Sequence, residues 1–273
     1  MSVTNFKPTL WEGGLLANFH SVSIAHLMST APTEINGEKV IFNRVANGNL
    51  KDYTGTIAWD DVNTTPIEMV FDQKKYFAFS LDDVDKAQLK ADVMKPTLEE
   101  HGAILAETYD KNFFTVLAAG AKSENNIGSK SKKKTVTPKE AYDYIVDLGT
   151  KLSKKKVPKA DRFVTVDSEY LGLLSKDDRF SKNPNVLANG IVEGQKINGL
   201  QVMASEELPD NTIIAHHKSA IGSAKQLQKT EAMRLQGSFA DGIRGLCVYG
   251  SKVLREEAIS VLYYELKVAE ETV

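Results

Sequence analysis

The apolar residues of this chain change their period near residue 80, and this change restricts the fold to one that combines strands with helices. From Val40 to Phe79 apolar and polar residues alternate, which is typical of strands with one buried face. From Val84 to Val116 the apolar residues recur every three, four or seven positions, which predicts a helix. No regular alternation of single strands and helices follows, so we expect an α+β fold rather than a doubly wound sheet.

The predicted strands form an extended hairpin. Asn36-Gly37, Asn47-Gly48 and Thr54-Gly55 mark turns, because glycine and asparagine tolerate positive φ at low cost. Residues 51–65 are mostly polar, with Trp59 placed beside Asp60 and Asp61. This stretch has little apolar surface with which to pack on its own domain, so we expect it to reach towards another subunit.

The predicted helix is unusually long. Ser80 and Asp83 have the spacing of a capping box, and a helix continuing to Ala119 would measure nearly 60 Å at about 1.5 Å per residue. Pro96 should kink or interrupt it, because proline removes a backbone donor. Before the strands, residues 6–28 carry apolar residues at roughly helical spacing, weakened by Gly13 and Gly14, and we expect an N-terminal arm there.

The second half of the chain predicts a mixed subdomain. Residues 120–135 are rich in lysine without interleaved aromatic residues, which favours a mobile, solvated loop over a nucleic-acid patch. Thr137-Pro138-Lys139-Glu140 predicts a helix start, followed by an apolar stripe. The further elements expected are a helix at Ser168–Leu174 with Ser168 as its cap, and strands at Phe163–Val166, Ile191–Val192, Leu200–Ala204, Ile213–Ala215, Gly245–Leu254 and Ile259–Leu266.

Composition excludes several classes of protein. A formal net charge of −2 and a pI near 6.2 argue against a protein that grips nucleic acid strongly. The only cysteine, Cys247, stands in an apolar run and is expected to be a buried hydrophobe, so no disulfide or thiolate metal site is predicted. The N-terminal segment lacks the pattern of a signal peptide, and no membrane contact is expected.

We expect no catalytic, cofactor-binding or metal site. The sequence contains neither GxGxxG after a strand nor GxxxxGK[ST]. His216 and His217 are adjacent in a predicted strand and would point to opposite faces, which favours a structural pair over metal ligands. Pairs of acidic residues occur at turns and helix starts, and Ser168 lacks the GxSxG elbow of a hydrolase.

Several stretches resemble the major capsid proteins of tailed bacteriophages. The most specific is Asp72–Phe79 running into Asp82–Gln88, which is similar to the junction between extended loop and spine helix in those proteins. Phe6–Trp11 resembles the family's N-terminal opening, and Lys51–Gly55 resembles the tip of its extended loop. The stretches Arg162–Val166, Gly194–Leu208 and Gly242–Glu257 resemble its axial domain and the return to the peripheral domain.

The resemblance implies the fold first described for phage Hong Kong ninety-seven, with an N-terminal arm, an extended β-hairpin loop, a long spine helix, and peripheral and axial subdomains. The corresponding division of this chain is an arm at 1–35, the extended loop with adjoining peripheral strands at 36–79, and the spine helix at 80–120. Residues 121–240 would be mainly axial, and residues 241–273 would return to the peripheral domain and the C-terminus.

The function implied is that of a shell protein, whose copies form pentamers and hexamers around double-stranded DNA. The implied partners are other copies of the chain, a separate scaffolding protein, a portal, and packaged DNA in weak non-specific contact. Candidate contacts between subunits are Trp11, Lys51, Tyr53, Trp59, Asp60 and Asp61. Lys51 lies where some members form an isopeptide cross-link, but no partner asparagine or activating glutamate is identified, so none is expected.

Two other interpretations stay open at this point. An encapsulin-type nanocompartment would have the same fold but would package cargo enzymes. A hydrolase using an acidic residue with His216 or His217 would belong to a different class. Copurified cargo would favour the first, and loss of turnover on replacing those residues, with assembly intact, would favour the second.

Overall fold

The computed structural model describes residues 23–37, 39–45, 52, 55, 64–82, 94–181, 196–237 and 239–266, which combine sheets and helices as expected for an α+β protein. The helices are α1 (Met94–Ala119), α2 (Pro138–Lys154), α3 (Ser168–Ser175) and the single turn α4 (Asp178–Ser181). The strands are β1 (Glu34–Asn36), β2 (Lys39–Val45), β3 (Thr64–Val70), β4 (Gln73–Asp82), β5 (Lys134–Val136), β6 (Arg162–Val166), β7 (Lys196–Ile197), β8 (Leu200–Ala204), β9 (Thr212–His217), β10 (Ile221–Arg234), β11 (Ala240–Val253) and β12 (Ile259–Leu266).

These strands form three sheets. Two have three strands, in the orders β1-β2-β3 and β10-β11-β4, and the third has six, in the order β5-β12-β9-β6-β8-β7. The period-two pattern of the sequence therefore predicted β2, β3 and β4 correctly. In β3, for example, Met69 is buried while its neighbours Glu68 and Val70 are exposed.

Helix α1 is shorter than predicted. It has 26 residues, which at about 1.5 Å per residue is about 39 Å. The predicted start at Ser80 is wrong, because Ser80 lies in β4 and pairs with Gly242 of β11. Pro96 falls in the first turn, where a helix needs no hydrogen bond from that residue's nitrogen. Residues 83–93, which were also predicted as helical, lie outside the described residues.

Helix α1 lies between the β10-β11-β4 sheet and the six-stranded sheet, and it fills the core between them. Phe113, Phe114 and Leu117 are fully buried, and the ring of Tyr109 meets that of Tyr249 on β11 edge to face at 5.7 Å. From the six-stranded sheet, Ile214 and Val261 belong to the same core. The helix thus joins the two sheets into one body.

The hairpin of β10 and β11 is the largest strand pairing in the fold, and the sequence analysis predicted only one of its strands. Each strand has 14 residues, and a bulge between Leu227 and Lys229 interrupts their register. Strand β10 was missed because its sequence, IGSAKQLQKTEAMR, is polar on both faces over much of its length.

Helices α2 and α3 cover the other face of the six-stranded sheet. The predicted stripe of α2, formed by Ala141, Ile145, Leu148 and Leu152, is fully buried there against residues such as Val164 and Val166. Strands β6, β8, β9, β11 and β12 confirm predicted elements, and Asn198 and Gly199 form the β7–β8 turn with φ of 48° and 80°. The strand expected at residues 191–192 lies outside the described residues.

The helix starts of this subdomain are partly as predicted. The backbone nitrogen of Thr137 donates to Glu140 Oε2 at 3.1 Å at the start of α2, as the capping-box spacing predicts. For α3 the predicted cap Ser168 is wrong, because Asp167 Oδ1 accepts from the Tyr170 nitrogen at 2.8 Å. Ser168 instead donates from its backbone nitrogen to Glu206 Oε1 at 2.8 Å.

The lysine-rich segment before α2 is anchored along its backbone, so the prediction of a mobile loop is wrong. The side-chain amide of Asn125 is buried and donates to the carbonyls of Glu257 and Ile259, both at 3.1 Å. The Ile127 nitrogen donates to the Val261 carbonyl at 2.8 Å. Gly128 has φ of +77°, and a Cβ there would lie 3.0 Å from two backbone oxygens. The backbone is therefore held against β12, while most of the lysines are exposed as expected.

The small sheet β1-β2-β3 packs on the face of β10-β11-β4 that is opposite α1. Phe42 of β2 fits into the space left by Gly222 of β10, where a Cβ would come within 2.5 Å of the ring. At the N-terminus, residues 23–28 form a turn rather than the end of a helix, and residues 6–22 lie outside the described residues. No helix in the described ranges is long and apolar enough to cross a membrane. The division of the chain into arm, loop, spine, axial and peripheral parts stays a prediction.

Candidate assembly surfaces

The histidines considered in the sequence analysis lie at structural positions. His216 is fully buried between the rings of Phe113 and Phe163, and its Nε2 donates to the Met28 carbonyl at 3.2 Å. Burial lowers the pKa of His216 to about 4, so the ring is neutral at pH 7. His217 is half-buried and its Nδ1 accepts from the Ser219 nitrogen at 3.0 Å. The ring of His216 is therefore enclosed in the core, and the ring of His217 is held by Ser219.

Cys247 and Glu206 also lie at structural positions. Cys247 is a residue of β11 and is buried in the core, and burial raises the pKa of its thiol to about 11. Glu206 accepts hydrogen bonds from Ser168, so this acidic residue holds the start of α3. In the part of the chain that the structure describes, no three His, Cys, Asp or Glu side chains come together in a group that could hold a metal ion.

One carboxylate holds residues 23–25, which fall in the predicted N-terminal arm, against the core. Asp110 of α1 is 4% exposed and accepts hydrogen bonds from Ser23 Oγ at 2.6 Å, the Ile24 nitrogen at 3.0 Å and the Ala25 nitrogen at 3.3 Å. We call this set, Ser23 to Ala25 with Asp110, the arm anchor. Burial raises the pKa of Asp110, while these hydrogen bonds and Lys225 oppose the shift.

A second set of contacts continues from the arm anchor. Tyr109 Oη donates to Ser223 Oγ at 2.7 Å, and Ser223 Oγ donates to Ser29 Oγ at 2.6 Å. The Thr30 nitrogen then donates to the Ile221 carbonyl at 2.9 Å, and this contact pairs Thr30 with the start of β10. Residues 23–30 are thus attached to α1, β9 and β10.

The face of β4 and β11 that points away from α1 is covered over only half of its length. At one end, Val40, Phe42, Met69 and Phe71 of the small sheet and its flank pack on Ala224 and Val248 and form a separate apolar core. At the other end Tyr76 is 79% exposed. Among the described residues, the β2–β3 hairpin covers the first half and nothing covers the second half.

The open half forms a groove, which we call the outer groove. Its lining residues are Tyr76, Ala78, Glu231, Arg244, Gly245 and Leu246, and its volume is about 540 Å³. Arg244 Nη2 lies 2.6 Å from Glu231 Oε2, so the charges of the groove are paired and most of its remaining surface is apolar. An exposed apolar groove of this kind is typical of a surface that another protein covers.

The candidate contact residues from the sequence, Trp11, Lys51, Tyr53, Trp59, Asp60 and Asp61, all lie outside the described residues. Two residues that the structure places at candidate surfaces, Tyr76 and Asp110, were not predicted from the sequence. Tyr76 directly precedes the buried Phe77 in an alternating stretch, and that alternation places an aromatic ring on the opposite face. Asp110 stands four residues from both Ala106 and Phe114 in the apolar stripe of α1, and an acidic residue in that position indicates a buried partner.

Comparison with known proteins gives matches over most of the chain. A family model described as phage capsid protein matches residues 66–262. None of the curated proteins matches the chain in sequence.

Solved structures also match. A structure from Mycobacterium phage Che8 is 25% identical with a TM-score of 0.69, and the alignment covers 88% of this chain and 90% of that one. The capsid of cyanophage P-SCSP1u is 19% identical with a TM-score of 0.66, covering 88% and 87%. The SrpI encapsulin of Synechococcus elongatus is 12% identical with a TM-score of 0.59, covering 91% and 92%.

Proposed function

We propose, because this chain belongs to the phage capsid protein family, that its copies assemble as pentamers and hexamers into the icosahedral head of a tailed phage and enclose double-stranded DNA. As a member of that family the chain is a structural protein of the virion capsid and not an enzyme. The observation that carries the proposal is the extent of the family match, which runs from β3 to β12 and so includes strands of all three described sheets.

Assembly requires surfaces that are incomplete in a single copy, and the outer groove is one of them. Half of this sheet face is already covered by the chain's own β2 and β3, whose connection includes residues 46–63. We infer that the corresponding loop of a neighbouring copy covers the open half. Lys51, Tyr53, Trp59, Asp60 and Asp61 are the loop residues that would make this contact, and Trp11 would contact a neighbour through the arm.

The other partners follow from the same proposal. A separate scaffolding protein and a portal would direct assembly in the host cytoplasm, and the packaged DNA would contact the shell weakly. The formal net charge of −2 supports weak rather than tight contact, because strong binding needs an excess of basic residues. The axial parts of the subunits would meet at the centres of pentamers and hexamers.

Negative-stain electron microscopy of the purified chain, together with its sedimentation profile, tests the proposal. We expect closed particles, or assemblies of five and six subunits. A chain that stays monomeric at high concentration, also when it is produced together with the products of neighbouring genes, would contradict the proposal.

An encapsulin-type compartment would also give closed particles, so the same preparation should be examined for its contents. The likeness to the SrpI encapsulin, at 12% identity, shows the fold alone. A specific enzyme copurifying in stoichiometric amounts would favour a compartment. Tail and portal genes beside the gene for this chain would favour the phage head.

A further inference from the structure

Lysine is concentrated in one stretch of this chain. Residues 121–160 contain eleven lysines, no arginine and four acidic residues, although the whole chain has a formal net charge of −2. The two ends of this stretch lie close together in the fold, because the last turns of α2 pack against the single helical turn at Ser123–Asn125. Lys151 Nζ donates there to the carbonyls of Glu124 and Asn126, at 3.1 and 3.2 Å.

Lysines from the segment before α2 and from the last turns of α2 surround one depression. Lys134, Lys151 and Lys154 line it together with Asn126, Ile127, Gly128, Asp147 and Thr150, and its volume is about 400 Å³. The turn from Ser129 to Lys132 borders Gly128 and adds Lys130 and Lys132, which are both exposed. We call these five lysines the lysine face.

Little of the charge on the lysine face is neutralised. Lys151 donates to carbonyls rather than to carboxylates, and Glu124 forms its ion pair with Lys155, at 2.5 Å. Among the described residues, no carboxylate lies within ion-pair distance of Lys130, Lys132, Lys134 or Lys154. Asp147 is the one acidic residue in the lining of the depression.

The backbone that carries this charge is fixed. Asn125, Ile127 and Gly128 are held against β12 by the contacts described above, and Ser260 Oγ donates to the Asn125 carbonyl at 2.6 Å. A purely solvated loop needs no such anchoring. The backbone beside these lysines is therefore set before any ligand arrives, which reduces the entropy lost on binding.

The chemistry of this surface favours nucleic acid over protein as its ligand. Protein interfaces have an apolar core, but none of the large apolar side chains exposed among the described residues belongs to residues 121–160. Lysine ammonium groups contact phosphates as point charges, without the planar fork by which arginine reads bases. Such a surface binds the backbone of DNA without regard to sequence.

We propose that the lysine face is the surface by which the shell contacts the phosphate backbone of the packaged DNA. This inference rests on the proposed function, and it adds which residues make the contact and which side of the shell they lie on. A local cluster in a chain that is close to neutral overall gives contact that is weak, dependent on salt and independent of sequence. The lysine face must then point towards the inside of the shell.

Charge reversal at two positions tests the contact. The variant Lys134→Glu with Lys154→Glu changes the lysine face, and the control Lys176→Glu with Lys252→Glu changes the net charge equally at exposed positions outside residues 121–160. The affinity of the full chain for a short duplex of arbitrary sequence is measured by fluorescence anisotropy over a range of salt concentrations. All four lysines are exposed, so both variants should unfold at the temperature of the unaltered chain.

We expect the lysine-face variant to bind duplex about tenfold or more weakly, with a dependence of log K on log salt that is shallower by about 1.8 for two lost phosphate contacts. The control should lose much less. Equal losses in both variants would overturn the proposal, because net charge alone would then explain binding. Binding of polyglutamate but not of duplex would also overturn it and would indicate an acidic protein partner.

A thiol label tests whether the lysine face points towards the inside of the shell. Because Cys247 is the only cysteine and is buried, the variant Lys154→Cys offers one accessible thiol. In intact shells we expect a small maleimide to react, and a maleimide carried on a large polyethylene glycol to react only after the shells are dissociated. Reaction of the large reagent with intact shells would overturn the proposal.

These outcomes are separate from that of the proposed function. The duplex measurement needs no shell, and shell formation is scored independently by electron microscopy. Normal shells that show no duplex binding at the lysine face would contradict this inference alone.

Discussion

Asp110 is the residue on which the attachment of residues 23–25 to α1 depends. Its carboxylate satisfies three donors of the arm anchor in a buried place. In the variant Asp110→Ala those donors lose their acceptor, so we expect the free energy of unfolding to fall by about 3 kcal/mol. Urea denaturation measures this change. The control Glu107→Ala removes an exposed carboxylate from the preceding turn and should change stability by less than about 0.5 kcal/mol. Equal losses in the two variants would contradict the role of the anchor.

His216 makes the stability of the protein depend on pH. Its pKa is lowered from 6.5 to about 4 in the folded state, mainly by burial, and the neighbouring His217 adds to the shift. The unfolded chain therefore takes up a proton at this position at higher pH than the folded chain. The stabilising contribution of the neutral ring is complete above pH 6.5 and is lost as the pH falls towards 4, by about 3 kcal/mol at most.

The variant His216→Phe tests this dependence. Phenylalanine fills the space between Phe113 and Phe163 but cannot be protonated, so the decrease in stability between pH 6.5 and 4 should become smaller. Thermal unfolding followed over that range measures it. A decrease of the same size in both proteins would assign the pH dependence to other groups, such as His26 and His217, whose pKa values burial also lowers.

At the scale of elements, the docking of the small sheet depends on a glycine. A Cβ at Gly222 would come within 2.5 Å of the Phe42 ring, so we expect Gly222→Ala to displace β2 and to destabilise the protein by about 1–3 kcal/mol. Gly172 in α3 has nothing within 4 Å of the same position, and Gly172→Ala should stabilise by about 0.5–1 kcal/mol. Urea denaturation of both variants gives the comparison. A stabilising effect of Gly222→Ala would show that the ring moves freely.

Local sequence predicted the elements whose signals are local. Strands β2 to β4 follow from alternation, and the start of α2 follows from Thr137 and Glu140. The start of α1 was wrong because pairing of Ser80 with Gly242, which is distant in sequence, outweighs a capping-box spacing. Strand β10 was missed for a related reason, since its polar residues give no period and its place is fixed by pairing with β11. The outer groove needs three strands in register, which no local pattern specifies.

For the whole molecule, the loop between β2 and β3 is predicted to serve assembly rather than folding. Val45 and Thr64 are paired, and deleting residues 51–63 leaves the five residues 46–50 between them, which is a common length for a hairpin loop. We expect a folded subunit that does not close shells. Circular dichroism checks the fold and electron microscopy checks the shells. Normal particles from this deletion would contradict the prediction.

The outer groove gives a matching prediction on the other side of the same contact. Tyr76 is 79% exposed in a single copy, so Tyr76→Asp should change the free energy of unfolding by less than about 0.5 kcal/mol. If a neighbour covers the ring, the buried charge should prevent assembly. Sedimentation of the variant measures the assembled fraction. Assembly at the level of the unaltered chain would remove the groove from the interface.

The arm anchor would also affect how an assembled subunit carries mechanical load. Because residues 23–25 are bonded to Asp110 of α1, a pull on the chain at Ser23 would act first on this carboxylate and then on the helix, and would not peel a strand from the edge of a sheet. Three hydrogen bonds to the two oxygens of one carboxylate would be loaded together, whereas bonds at a sheet edge open one after another. If copies of the chain form a pressurised head, as proposed, tension applied to the segment before Ser23 would therefore be carried by α1.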